Sequence, residues 1–115
     1  MEFSGLGSGL QGGPPIPHQR ENNVRPTTRF RNLIEADEIL VLPGIYDALS
    51  ARMAELAGFE ALVGGGYAAT ASLIGAPDIG QLGMAEMVDH YARLCDAVQV
   101  PVLADADTGF GDSIN

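Results

Sequence analysis

The hydrophobic positions of the chain follow two periodicities, and their order predicts alternating strands and helices. Three short apolar runs are typical of strands buried on both faces. These runs are residues 39–42, 59–63 and 100–104. Before and between them, apolar side chains recur every three or four residues, which is typical of amphipathic helices.

The helical spacing predicts one helix before the first run and one after it. The earlier helix is short and amphipathic, and it begins at a cap on Thr27 or Thr28. The later helix covers residues 48–57, follows Asp47 as its N-cap and stops at Gly58. Its predicted apolar face consists of Leu49, Met53 and Leu56.

A third helix, between the second and third apolar runs, has the clearest periodicity of the chain. Its apolar stripe consists of Met84, Met87, Val88, Tyr91, Leu94, Cys95 and Val98. Because Cys95 lies on this stripe, we expect a buried, unreactive thiol. His90 lies off the stripe, and we expect it to face solvent rather than to act as a general base.

This order of strands and helices, with short connections, predicts right-handed βαβ units in a parallel sheet. Three parallel strands leave two open edges, and a complete (β/α)8 barrel typically needs about 250 residues. We therefore interpret residues 27–115 as part of a larger α/β domain. Residues 1–26 contain five Gly and four Pro without apolar periodicity, which predicts a disordered tail.

The charge balance excludes several kinds of partner. The chain has 15 acidic and 6 basic residues, a formal net charge of −9, and no lysine. Nucleic acids and anionic membranes require clustered Lys and Arg, so we expect no nucleic-acid and no membrane partner. Without a spanning apolar run or a secretory signal pattern, we expect a cytoplasmic protein. The single cysteine excludes an internal disulfide.

The carboxyl ends of the predicted strands hold the candidate chemistry, because ligands of parallel α/β folds bind there. Asp105 and Asp107 follow the third strand, and on an extended chain residues two apart project from the same face. A hard divalent cation such as Mg²⁺ would relieve the repulsion between their charges. The alternative is that both aspartates cap the turn through hydrogen bonds to the backbone. Asp78, in the loop after the second strand, is either a third site acid or an ordinary turn residue.

The other two strand ends carry weaker signals. Tyr46 and Asp47 follow the first strand, and a helix cap explains Asp47 most simply. Three glycines, residues 64–66, follow the second strand, where backbone N–H groups either approach an anion or form a tight turn. No GxGxxG pattern is present and we expect no helix directly after these glycines, so a dinucleotide site is not predicted.

Five short sequence motifs occur in an order and spacing that can be compared with known families. They are LPGIYDALSA at residues 42–51, AGF at 57–59, GGY at 65–67, GAPD at 75–78 and DADTGFG at 105–111. In this order and spacing they resemble the isocitrate lyase/phosphoenolpyruvate mutase superfamily, from about Thr27 to Asn115. The most similar branches are the methylisocitrate lyases, the oxaloacetate decarboxylases and the carboxyphosphonoenolpyruvate mutase-like proteins.

The resemblance implies that the chain is the N-terminal portion of a (β/α)8 TIM barrel that assembles as a homo-oligomer, usually a tetramer. It implies a carbon–carbon lyase dependent on Mg²⁺ or Mn²⁺. The implied substrate is a small-molecule carboxylate, either a 2-oxo acid or a (methyl)isocitrate-like compound, which reacts through an enolate.

The resemblance also implies roles for particular residues. Asp105 would be the most direct metal ligand, whereas Asp107 and Asp78 would hold metal-bound waters. Backbone N–H groups would hold the substrate carboxylate around Gly65, Gly66 and Tyr67.

Two departures from the family pattern leave other functions open. Many relatives have Ser where this chain has Gly65, so one hydroxyl donor is absent. The family's catalytic loop follows the position of Asn115, so no catalytic residue is assigned and Cys95 is not its counterpart. One alternative is phosphonate mutase chemistry at a P–C bond. The other is a non-catalytic fragment or interaction module whose open strand edges pair with another chain, and we expect no lyase turnover from residues 1–115 alone.

Overall fold

The computed structural model describes residues 24–111, which form a parallel sheet of three strands with four helices. The elements are α1 (Pro26–Glu35), β1 (Gly44–Ile45), α2 (Ala48–Leu56), β2 (Leu62–Gly64), α3 (Gly66–Ile74), α4 (Met84–Ala97) and β3 (Val102–Ala104). The strand order is β1-β2-β3, and both pairs are parallel. The predicted α/β architecture is therefore confirmed. Most of the predicted tail, residues 1–23, lies outside the described residues.

The first strand lies further along the chain than its apolar run predicts. β1 pairs Gly44 with Val63, and its ladder with β2 starts where the Val63 N–H donates to the Pro43 carbonyl at 3.1 Å. Extended towards the N-terminus, this register places residues 39–42 opposite residues 58–61, which lie between α2 and the start of β2. Ile39 is consequently 93% exposed, so the prediction of a strand buried on both faces at 39–42 is wrong for the described residues.

The core lies between the sheet and the pair of helices α2 and α4. Its buried members come from β1, β2, α2, α4 and the C-cap of α4, and they are Ile45, Ala51, Leu62, Leu94 and Val98. Removal of these apolar side chains from water is the main favourable contribution to this packing. The core thereby fixes α4 against the sheet, and Tyr91 of α4 reaches the carboxyl end of β2 at Gly64.

α2 begins with a reciprocal pair of hydrogen bonds, as the sequence predicts. The Ser50 N–H donates to Asp47 Oδ1 at 2.7 Å, and the Asp47 N–H donates to Ser50 Oγ at 3.0 Å. The helix ends before Gly58, whose φ of +95° is a left-handed conformation that glycine adopts without strain. Both predicted ends of this helix are confirmed.

The face that α2 buries is the alanine face rather than the predicted leucine and methionine face. Ala51 is fully buried and Ala54 packs against the core, whereas Leu49 and Met53 are exposed. Small side chains at a contact allow helices to approach closely. The alanines therefore form the face of α2 that packs against its neighbours.

α4 is confirmed as a helix, but two of its residues lie on different faces from those predicted. His90 is buried with 6% of its surface exposed, because it lies three residues after Met87 and four before Leu94, on the core face. Cys95 is exposed. None of the helices within residues 24–111, α4 included, combines the length and apolar composition needed to cross a bilayer.

Two helix starts also differ from the predictions. α1 begins at Pro26 after Arg25, not at a threonine cap, because proline in the first turn already has a helical φ. α3 begins at Gly66, directly after the glycine run where no helix was expected. The sequence of α3, GYAATASLI, is apolar or small on every side, so it has no periodicity from which a helix could be predicted.

The Asp47 cap generates a testable prediction. Asp47→Ala should destabilise the fold by about 1 kcal/mol, because the Ser50 N–H loses its acceptor. The hydrogen bonds from Ser50 lower the pKa of Asp47, so its stabilising effect is present above the unfolded-state pKa and is lost as the pH falls through the folded-state pKa. The stability difference should therefore be full at pH 7 and should shrink once the pH falls below the ordinary value of 3.8.

Urea unfolding at neutral and at acid pH measures this difference. Glu38→Ala is the matched control, since Glu38 is an exposed acid outside any helix. Equal stabilities of wild type and Asp47→Ala at pH 7 would show that the cap contributes nothing.

Candidate functional site

The carboxyl ends of β2 and β3 lie side by side, and the candidate site is built on them. Gly64, the last residue of β2, is in register with Ala104, the last residue of β3. One residue further along, the Asp105 N–H donates to the Gly64 carbonyl at 2.9 Å. The ladder therefore brings the aspartates after β3 beside the glycines that open α3.

Asp105 is held by two backbone donors. Its Oδ2 accepts from the Gly66 N–H at 3.1 Å, and its Oδ1 accepts from the Asp107 N–H at 3.0 Å. These hydrogen bonds, that from Asp107 first, lower the pKa of Asp105 because they stabilise its charged form. Asp105 is therefore an oriented carboxylate that is ionised at neutral pH.

The geometry of Asp107 differs from the extended arrangement that the sequence predicts. β3 ends at Ala104, and Asp107 has a φ of +45° within a turn, so the alternation of an extended strand does not apply to Asp105 and Asp107. The hydrogen bond from the Asp107 N–H to Asp105 is a turn-capping interaction of the kind given above as the alternative, and it is made by the Asp105 carboxylate. Asp105 makes this bond and the bond to Gly66 at the same time.

Gly66 is the point on which two carboxylates converge. A β-carbon at Gly66 would lie 2.9 Å from Asp78 Oδ2 and 3.2 Å from Asp105 Oδ2. Both oxygens therefore occupy space that a side chain at residue 66 would fill. Asp78 is itself held, because its Oδ1 accepts from the Gly80 N–H at 3.2 Å. The fold thus brings Asp78 and Asp105 together although 26 residues separate them in the sequence.

The carboxylates of the site have no basic side chain paired with them among residues 24–111. The ion pairs formed there join Arg52 to Glu55 and Arg93 to Asp89, away from the site. Two negative groups that meet without a protein cation repel one another. A bound cation would remove this repulsion.

The glycine turn supplies backbone donors at the same place. Gly65 is the N-cap of α3, so the first turn of that helix starts beside Asp105. Free N–H groups at a helix N-terminus attract anions. Of the three residues predicted to hold a substrate carboxylate, Gly66 already donates its N–H to Asp105, whereas the Tyr67 side chain is 70% exposed.

The end of β1 contributes a structural residue rather than a site residue. Asp47 caps α2, which agrees with its simplest interpretation from sequence. Tyr46 is about half exposed, and its N–H donates to Ser50 Oγ at 3.1 Å. Neither side chain makes a hydrogen bond to Asp78 or Asp105 among the described residues.

Two buried polar groups of α4 were missed by sequence reasoning, and one of them, on Tyr91, lies beside the site. They are the Tyr91 hydroxyl and His90 Nε2, and neither has a hydrogen-bond partner in the described part of the chain. Tyr91 was predicted only as one member of an apolar stripe. Its contact with Gly64 joins residues 27 positions apart, and no local sequence signal predicts such a contact.

The donor atoms suit a small, hard cation. Within residues 24–111, no three His, Cys, Asp or Glu side chains form a complete metal cluster. Mg²⁺, however, typically uses one or two carboxylates and completes its coordination with water and substrate oxygens. The two carboxylate oxygens beside Gly66 match that requirement, and a β-carbon at residue 66 would crowd both of them. The residues present therefore fit Mg²⁺ or Mn²⁺.

Comparison with known proteins gives a consistent family. The family profile described as phosphoenolpyruvate phosphomutase matches residues 30–115. The carboxyvinyl-carboxyphosphonate phosphorylmutase of Arabidopsis thaliana is 46% identical over 97 residues, which cover 80% of this chain and 29% of that protein. The 2-methylisocitrate lyase of Aeropyrum pernix is 45% identical over 96 residues, which cover 84% of this chain and 31% of that protein.

Solved structures agree with the sequence comparison. The structure of oxaloacetate acetylhydrolase in complex with the product oxalate superposes with a TM-score of 0.72 at 39% identity, covering 77% of this chain and 32% of that one. The chain thus spans about a third of the length of the relatives it matches. Its strands and helices are those of the N-terminal portion of a (β/α)8 barrel. By sequence and by fold, this chain belongs to the isocitrate lyase/phosphoenolpyruvate mutase superfamily.

Proposed function

We propose that this chain carries the metal-binding part of a Mg²⁺-dependent carbon–carbon lyase that acts on a 2-oxo acid or a (methyl)isocitrate-like carboxylate. The observation that carries the proposal is the convergence of the Asp78 and Asp105 carboxylates on Gly66. It is supported by relatives named as lyases, among them 2-methylisocitrate lyase and 2,3-dimethylmalate lyase.

Each residue of the site has a separate task in this proposal. Asp105 would hold the cation directly, since two backbone hydrogen bonds keep its carboxylate oriented and charged. Asp78 and Asp107 would orient water molecules around the cation. Of the residues predicted to hold the substrate carboxylate, Gly65 and Tyr67 would do so through their backbone N–H groups at the helix N-terminus, whereas the Gly66 N–H holds Asp105.

The chemistry that such a site supports is electrostatic. A bound Mg²⁺ would supply the positive charge that stabilises the negative oxygen of an enolate as a carbon–carbon bond breaks. The oriented N–H groups of the α3 turn would hold the substrate carboxylate without reorganising. The protein would supply position and charge, while the acid–base residues would come from outside residues 24–111.

Phosphonate mutase chemistry is the second candidate function, favoured by the 46% identity to the Arabidopsis phosphorylmutase. The two candidates use the same carboxylate site and differ in the bond that changes. The test is to incubate the protein, in the longest form its gene encodes, with Mg²⁺ and 2-methylisocitrate, 2,3-dimethylmalate, oxaloacetate or phosphonopyruvate. Cleavage of one of the first three supports the lyase, whereas rearrangement of phosphonopyruvate alone supports the mutase.

The proposal predicts that Asp105 contributes more to Mg²⁺ affinity than Asp78 does. Asp105→Asn should weaken Mg²⁺ binding by about tenfold or more, because it removes the charge of the direct ligand, and even the loss of an outer ligand commonly weakens metal binding by about tenfold. Asp78→Asn should weaken binding less. Titration calorimetry of wild type and both variants with MgCl₂ measures the difference, and equal affinities would contradict the assignment of Asp105 as the direct ligand.

A second prediction tests the space beside Gly66. Gly66→Ala should weaken Mg²⁺ binding by about tenfold, because its β-carbon would displace the Asp78 and Asp105 oxygens. Stability should change by less than about 1 kcal/mol, since the displaced atoms are the ends of side chains that can rotate.

Gly44→Ala is the matched control for this variant. A β-carbon at Gly44 would meet no atom within 4 Å, so this variant should bind Mg²⁺ as wild type does. Unchanged Mg²⁺ affinity in Gly66→Ala would contradict a cation site between the two carboxylates.

A further inference from the structure

We propose that Tyr91 is a positioning residue of the carboxylate site. Its hydroxyl has no partner within residues 24–111 without the cation and donates a hydrogen bond to an acceptor of the site when the cation is bound. The inference rests on the proposed function, because it assigns the unpartnered hydroxyl to the same metal site. It concerns a residue of α4, an element that contributes none of the predicted metal or substrate contacts.

The ring of Tyr91 occupies the space that Gly64 leaves open. A β-carbon at Gly64 would lie 2.7 Å from Tyr91 Cε1 and 3.2 Å from Cδ1, which is too close for any larger residue without movement of the ring. Gly64 is the last residue of β2, and its carbonyl accepts the Asp105 N–H. The ring therefore supports the strand end from which both Asp105 and the α3 turn are positioned.

The hydroxyl of Tyr91 is buried and has no hydrogen-bond partner among the described residues. The backbone N–H of Asp105 is close to it, but that N–H is already donated to the Gly64 carbonyl. A buried hydroxyl without a partner destabilises the fold, and most buried polar groups in proteins are hydrogen-bonded. Phenylalanine would fill the same space without this penalty.

The negative charges of the site act on the Tyr91 hydroxyl. Burial raises the pKa of Tyr91, and the negative charges of Asp105, Asp107 and Asp78 raise it further. Tyr91 therefore stays protonated at neutral pH and can donate, whereas all three charged neighbours can only accept. A cation that rearranges these carboxylates and their waters would bring an acceptor to the hydroxyl, which in turn would hold that acceptor in place.

Tyr91→Phe is the direct test, because it removes the hydroxyl and keeps the ring. In calorimetric titration with MgCl₂, Tyr91→Phe should bind about tenfold more weakly than wild type. Its thermal midpoint without Mg²⁺ should be equal to or higher than that of wild type, because an unpartnered group has been removed. Tyr46→Phe, the same change at an exposed tyrosine, should bind Mg²⁺ with wild-type affinity.

A spectroscopic readout separates a positioning role from packing. The chain has three tyrosines and no tryptophan, so ultraviolet difference spectra report on the tyrosines alone. Addition of Mg²⁺ to wild type should produce a tyrosine difference spectrum as the Tyr91 hydroxyl gains a partner. The signal should disappear in Tyr91→Phe and persist in Tyr46→Phe.

The outcomes are distinguishable. Wild-type Mg²⁺ affinity in Tyr91→Phe, or a difference spectrum that persists in this variant, would overturn the role of Tyr91 while leaving the proposed metal site intact. If wild type itself binds no Mg²⁺, the proposed function fails and the role of Tyr91 fails with it. Weaker binding with undiminished stability and a lost spectral signal would support the inference.

Discussion

The hydrogen bond from the Gly66 N–H to the Asp105 carboxylate is the interaction on which the candidate site depends. It joins the end of β3 to the first turn of α3, two segments that are 39 residues apart in the sequence. The parallel ladder alone brings their backbones close, but this bond fixes which way the carboxylate points. Gly66 makes the arrangement possible, because its N–H binds Asp105 while its missing side chain admits Asp78.

The same arrangement concentrates negative charge at the site. Two carboxylates share one small space, a third follows two residues later, and the ion pairs within residues 24–111 lie elsewhere. Backbone hydrogen bonds lower the pKa of Asp105, so the repulsion is not relieved by its protonation at neutral pH. A divalent cation would neutralise this charge, and it can also stabilise the negative oxygen of an enolate. The arrangement of the site and the proposed reaction therefore both depend on the same cluster of negative charge.

The parts of the structure that sequence predicted well are those that depend on local chemistry. The Asp47 cap and the Gly58 stop follow from preferences that act over a few residues, and both were found. β1 was displaced because its boundaries depend on the register with β2, which is a property of the pair and not of the apolar run. The interpretation of α2 failed because alanine, not leucine, meets the neighbouring elements. Cys95 is exposed because only part of the apolar stripe of α4 faces the core, and His90 is buried because it lies between Met87 and Leu94 on that face, which its polar side chain does not indicate.

The candidate site was predictable in its residues but not in its geometry. Asp78, Asp105 and the glycines follow from the strand ends and from the family resemblance, whereas their meeting at Gly66 and the Tyr91 contact at Gly64 depend on long-range packing. The most direct test of the account is anomalous X-ray scattering from crystals of the protein grown with Mn²⁺. The account predicts one strong peak within direct coordination distance of an Asp105 carboxylate oxygen and beside Asp78. No peak there, or a peak held only by other carboxylates, would contradict it.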